Sequence, residues 1–63
     1  MSKLYYVTFG AHKISDQGKV FYQTVLKAPN KKVAKLLALS EFKESEYYDK
    51  ITLDLNDYIV RRS

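Results

Sequence analysis

An α+β fold of ββαβ layout, a three-stranded antiparallel sheet in order 2-1-3 with one helix packed on one face, is the architecture this 63-residue sequence predicts. Three observations carry it. Residues 3–14 and 19–28 are rich in Tyr, Phe, Val and Thr, alternate with period two, and are separated by the turn formers Ser15-Asp16-Gln17-Gly18. Ala28-Pro29-Asn30 then breaks extended structure, and the stretch after it, rich in Ala, Leu and Lys, holds neither glycine nor proline. Finally, ITLDL at residues 51–55 alternates cleanly again.

The first strand places Tyr5, Val7 and Phe9 on one side and Leu4, Tyr6 and Thr8 on the other, so both faces are partly apolar, as in the middle strand of a sheet. Gly18 is expected to take the positive φ of the reversing turn. In the second strand Val20, Tyr22, Thr24, Leu26 and Ala28 are assigned inward, because Leu26 and Ala28 lead directly to the helix start. Proline lacks a backbone donor and pushes the residue before it toward extended geometry, so the helix must begin after Pro29. Asn30 is its N-cap, and the helix is expected over residues 31–48. At 100° per residue Val33, Ala34, Leu37, Ala38 and Glu41 share one arc, flanked by Phe42; Leu36 and Leu39 fall on the far side. In the third strand Ile51, Leu53 and Leu55 should meet the helix. Asn56-Asp57 reads as a bulge or turn, with Tyr58-Ile59-Val60 prolonging the strand before a fraying basic tail, Arg61-Arg62-Ser63. A right-handed return through the helix makes the third strand parallel to the second and pairs it with the first.

A chain of this length forms one domain, residues 1–63, and buries only about 60% of the surface exposed by its unfolded form. With no cysteine, neither disulfides nor thiolate zinc brace it, and a core this small rarely supplies more than about 3–5 kcal/mol. Self-association is one remedy. No apolar run approaches the ~20 residues that cross a bilayer, and the start MSKLYYVTF lacks the layout of a signal peptide, so a cytoplasmic location away from membranes is expected. The net charge of +4 favours acidic partners. It is unevenly spread: residues 1–35 carry +6 and residues 36–63 carry −2.

No catalytic constellation is present. His12 is the only histidine and has no cysteine beside it, so no metal site is expected. Asp54 with Asp57, and Glu41 with Glu44, are carboxylate pairs without a nucleophile or cleft. These absences point away from an enzyme and from a cofactor. Two features suit binding instead. Lys31, Lys32 and Lys35 at the helix start, with Lys27 just before, surround orphan amide protons that attract phosphate or carboxylate, although Glu41, Glu44, Glu46 and Asp49 leave both helix ends with charge opposing the dipole. The bland alternative is a solvated polar end. Second, the sheet face away from the helix carries Tyr6, Thr8, His12, Phe21, Gln23, Val25, Thr52 and Asp54, whose aromatic residues could anchor a protein or stack on bases. The bland alternative is an ordinary half-wet sheet with stray aromatics.

The hairpin, the step LKAPNKKVAKLLA over residues 26–38 and the closing ITLDL resemble small phage proteins of ββαβ layout, in particular the T7-type inhibitors of host RNA polymerase. The similarity lies in length, element order and the alanines at Ala28, Ala34 and Ala38. That family's helix is acidic where this one begins with lysines. What the resemblance implies is a phage-encoded protein that acts stoichiometrically by binding.

The reading is therefore a non-enzymatic interaction module that binds a host protein through the uncovered sheet face, the edge of the first or third strand, or both. Tyr6, Phe21 and Val25 would be its hot spots, ringed by Lys13 and Lys27. The alternative is a nucleic-acid binder in which Lys27, Lys31, Lys32 and Lys35 grip phosphates and Tyr6 or Phe21 stacks. A homodimer is the third reading.

Overall fold

A computed structural model describes residues 2–63. The chain forms β1 (Lys3–Lys13), β2 (Lys19–Ala28), α1 (Lys31–Lys43) and β3 (Ile51–Arg62). The sheet is antiparallel throughout, in the order β2-β1-β3, and α1 lies across one face of it. This is the ββαβ arrangement that the sequence predicts. Because β1 is central, the open edges belong to β2 and β3, which corrects the expectation of a free first-strand edge.

The hairpin closes on a tight loop. Lys13 N–H donates to Gly18 O at 2.8 Å, and Gln17 N–H donates to Lys13 O at 2.9 Å. Gln17, not Gly18, takes the left-handed conformation, with φ of 60°. Gly18 makes a different contribution: Asp16 Oδ1 accepts its N–H at 2.9 Å, and a Cβ on Gly18 would stand a tight 3.0 Å from that same oxygen.

Asn30 caps α1 as expected, its extended backbone letting Oδ1 accept Val33 N–H at 2.9 Å. The helix stops at Lys43, five residues short of the expected end. Glu44 N–H reaches back three residues to Glu41 O, and both the N–H and the hydroxyl of Ser45 donate to Phe42 O, at 3.0 and 2.7 Å. A serine hydroxyl competing for the backbone turns the chain out of the helix. Glu46 and Asp49 therefore lie beyond the helix, Glu44 is its C-cap, and its last turn holds Lys43. The expected clash of acidic charge with the helix C-terminus is reduced to Glu41 and the cap residue Glu44.

The helix face is also rotated from the expected arc. Ala34, Ala38 and Phe42, spaced four apart, are buried; Leu39 is half-buried against the core, whereas Leu37 is 44% exposed. Two alanines allow the helix backbone to approach the sheet, and Phe42 fills the wider gap at the end, meeting Tyr22 edge-on at 5.0 Å. Beneath lie Tyr5, Val7 and Phe9 of β1, with Leu26, Ile51, Leu53 and Val60 around them.

β3 is one strand with a break in its phase. Phe9 faces Tyr58 and Ala11 faces Leu53, so four residues, 54–57, stand opposite Gly10 alone. Asn56 N–H donates to Asp54 Oδ1 at 3.0 Å, which folds this bulge. Leu55 lies within it and is 52% exposed, so it does not meet the helix as expected. Tyr58 and Val60 turn inward instead. The tail does not fray: Arg61 and Arg62 pair with Tyr6 and Tyr5, and Ser63 N–H donates to Leu4 O at 2.9 Å.

Candidate interaction surface

Cross-strand register fixes the composition of the face opposite α1. Its rows run from β2 across β1 to β3: Lys27 and Leu4; then Val25, Tyr6 and Arg61; then Gln23, Thr8 and Ile59; then Phe21 and Gly10; then Lys19, His12 and Thr52. Directly opposed side chains on one face are in contact range, so Tyr6 is flanked by Val25 and Arg61. Leu4, Tyr6, Val25, Ile59 and Phe21 are all exposed, Phe21 at 68%. Among the described residues no element crosses this face, because their one helix is on the other.

The centre of the face is bare backbone. Asp57 folds its carboxyl over Gly10, where a Cβ would collide with Asp57 Oδ2 and Cγ. Glycine at position 10 thus admits the acidic side chain of the bulge, and the apolar surface is divided into Phe21 on one side and the Tyr6, Val25 and Ile59 group on the other.

Of the residues expected at a partner surface, Tyr6 and Val25 are direct neighbours, Phe21 shares their face farther along β2, and Lys27 is beside them opposite Leu4. Lys13 is not with them. It pairs with Ile51, on the side facing the helix, at the far end of β1. The four lysines expected to hold an anion are dispersed: Lys27 is on the outer face, Lys31 and Lys32 are exposed on the first turn of α1, and Lys35 lies with Nζ 3.9 Å from the centre of the Tyr58 ring. Leu4, Ile59 and Arg61 complete the outer face without having been singled out in the sequence. For Ile59 and Arg61 the reason is the bulge, which reverses the inward and outward assignment of everything after it.

A second apolar region arises from a mismatch of lengths. Thirteen helical residues span roughly 20 Å, whereas strands of 10–12 residues span roughly 33–40 Å. The inner face near the hairpin is therefore left to the connection between α1 and β3. The result is a groove of about 830 Å³ lined by Ile14, Val20, Phe21, Tyr22, Tyr47 and Ile51, with Lys13, Gln23, Asp49 and Lys50 among its polar members. Ile14 N–H donates to Lys50 O at 2.9 Å and ties the end of β1 to the connection before β3. Beside the groove, Thr24 Oγ donates to Glu41 Oε1 at 2.7 Å. The Tyr22 hydroxyl is raised above its ordinary pKa of 10.0, first by burial and then by the Glu41 carboxylate and Tyr47.

Among the described residues, no group of three or more His, Cys, Asp or Glu is placed to hold a metal ion, and no helix is long and apolar enough to cross a membrane. In comparisons with known proteins, no protein-family model, no curated protein and no solved structure matches the chain.

Proposed function

We propose that this chain is a small non-enzymatic interaction protein that binds a partner protein through the outer face of its sheet. The observation that carries the reading is the exposure of Leu4, Tyr6, Phe21, Val25 and Ile59 on one face that no segment covers among the described residues. Exposed apolar groups with aromatic anchors, here Phe21 on one side of Asp57 and Tyr6, Val25 and Ile59 on the other, with a rim of charge, are the usual composition of a binding surface. Lys19, Lys27 and Arg61 provide that rim, and the net charge of +4 favours an acidic partner. The resemblance to phage inhibitors points to a host protein of the cytoplasm, such as one of the transcription machinery.

Capture from host lysate by the tagged chain tests this. Tyr6→Asp and Val25→Asp are exposed changes on the outer face and should leave the fold intact while abolishing capture. Equal capture by wild type and both variants would sink the reading. A nucleic-acid partner is the second reading, favoured by the Tyr6–Arg61 juxtaposition, a ring for stacking beside a guanidinium for phosphate. It requires retention on DNA or RNA at low salt that falls steeply as salt rises, with the same Tyr6 dependence.

A further inference from the structure

The two open edges of the sheet are unlike. The β3 edge is interrupted by the bulge at residues 54–57 and bears Asp54, Asp57, Arg61 and Arg62, devices that discourage another strand from pairing there. The β2 edge has no such protection between Lys19 and Lys27. Its intervening residues, VFYQTVL, include no charge, glycine, proline or bulge, and the pairing with β1 is regular over the whole length. The Lys13–Gly18 hydrogen bond sets the phase, so Val20, Tyr22, Thr24 and Leu26 bond to β1 while the amides and carbonyls of Lys19, Phe21, Gln23, Val25 and Lys27 face the open side. The groove lies directly along this edge, lined by Val20, Phe21, Tyr22 and Gln23 on its β2 side.

We infer that the β2 edge and the adjoining groove are the docking site for an extended segment of a partner protein. It adds as a fourth, antiparallel strand, with apolar side chains opposite Phe21 and Val25, acidic ones opposite Lys19 and Lys27, and its inward side chains over the groove. This rests on the reading of the chain as a protein-binding module and adds the mode of recognition: main-chain hydrogen bonds for affinity, side-chain positions for selectivity. The charge pattern chooses the occupant. A second copy pairing through β2 about Gln23 would set Lys19 of each chain opposite Lys27 of the other, two like-charge pairs that disfavour it. An acidic segment converts both positions into attractive pairs.

The probe is the blocked peptide Glu-Thr-Val-Thr-Gln-Leu-Val-Leu-Glu, with a counterpart in which both glutamates are lysine, each added to the full ¹⁵N-labelled chain. The acidic peptide should slow hydrogen exchange at Phe21, Gln23 and Val25, and the lysine peptide should not. Gln23→Pro removes an amide that faces solvent, a position where an edge strand tolerates proline, and should weaken binding about tenfold or more. Should that variant fail to fold, the double variant Lys19→Glu, Lys27→Glu, exposed and remote from the core, should reverse the preference between the two peptides. Unchanged exchange at saturating peptide, equal binding of both peptides, or protection of these amides that appears with protein concentration alone would overturn strand addition. The last outcome assigns the edge to a second copy. If the peptide fails while Tyr6→Asp still abolishes capture from lysate, only the docking mode falls; if Tyr6→Asp and Val25→Asp leave capture intact, the outer-face reading falls independently.

Discussion

The inner and outer faces of the sheet are built from the same residue types and have opposite fates. Alternate residues of β1 supply Tyr5, Val7 and Phe9 to one side, all buried beneath α1, and Leu4 and Tyr6 to the other, both exposed. Phe9 is fully buried and Phe21, on the neighbouring strand, is 68% exposed. The difference is not hydrophobicity but supply: one helix with alanines at its contact positions covers one face, and the described residues form no second layer for the other. Phe21, the most exposed of the outer apolar side chains, thus contributes little to folding and remains free for a partner.

The largest test of this contrast is a pair of truncations. Phe9→Ala should cost about 3–5 kcal/mol, comparable with the whole stability of a domain this small, and leave the chain unfolded at room temperature. Phe21→Ala should change stability by no more than about 0.5 kcal/mol. Urea titration followed by circular dichroism measures both, and similar losses would show that the outer face is structural after all. Smaller is the effect at Gly10, where the outer face is held flat. Gly10→Ala should destabilise by about 1–3 kcal/mol because its methyl group displaces the Asp57 carboxyl, and Asp57→Ala should restore part of the loss in the double variant. Full additivity of the two changes would refute the contact.

The hairpin belongs to neither face and gives a reference of the opposite sign. Gln17→Gly relieves a side chain held at φ of 60° and should stabilise by about 0.5–1 kcal/mol without altering capture of a partner. The smallest effect is on the inner face. Burial and Glu41 favour the protonated Tyr22 hydroxyl, so its folded pKa exceeds the unfolded value of 10.0. The resulting stabilisation is complete below pH 10 and is lost as pH rises through the folded pKa. Tyr22→Phe should flatten the alkaline fall in melting temperature; an unchanged slope assigns that fall to other groups.

Strand order, hairpin and helix start were legible because each rests on local chemistry: alternation in residues 3–13 and 19–28, Asp16-Gln17-Gly18 at the turn, and Pro29-Asn30 at the cap. The helix end was not, since residues 44–50 include no glycine or proline and the stop depends on the Ser45 hydroxyl choosing Phe42 O. Nor was the helix face. A hydrophobic arc weights Leu37 above Ala38, while close approach to a sheet rewards the smaller side chain. Tyr6, Phe21 and Val25 were readable as outward from period two alone; Ile59 and Arg61 were not, because the excess of residues in β3 is visible only in its pairing with β1.

That excess makes β3 mechanically two pieces. Residues on either side of the bulge take their orientation from separate stretches of β1, Tyr58 from Phe9 and Leu53 from Ala11, so neither piece dictates the rotation of the other. An added residue between Leu55 and Asn56 would be absorbed as slack. The same insertion between Ile59 and Val60 would swing every later side chain to the opposite surface, so it is at the bulge that the chain's length can drift without rewriting what the sheet displays.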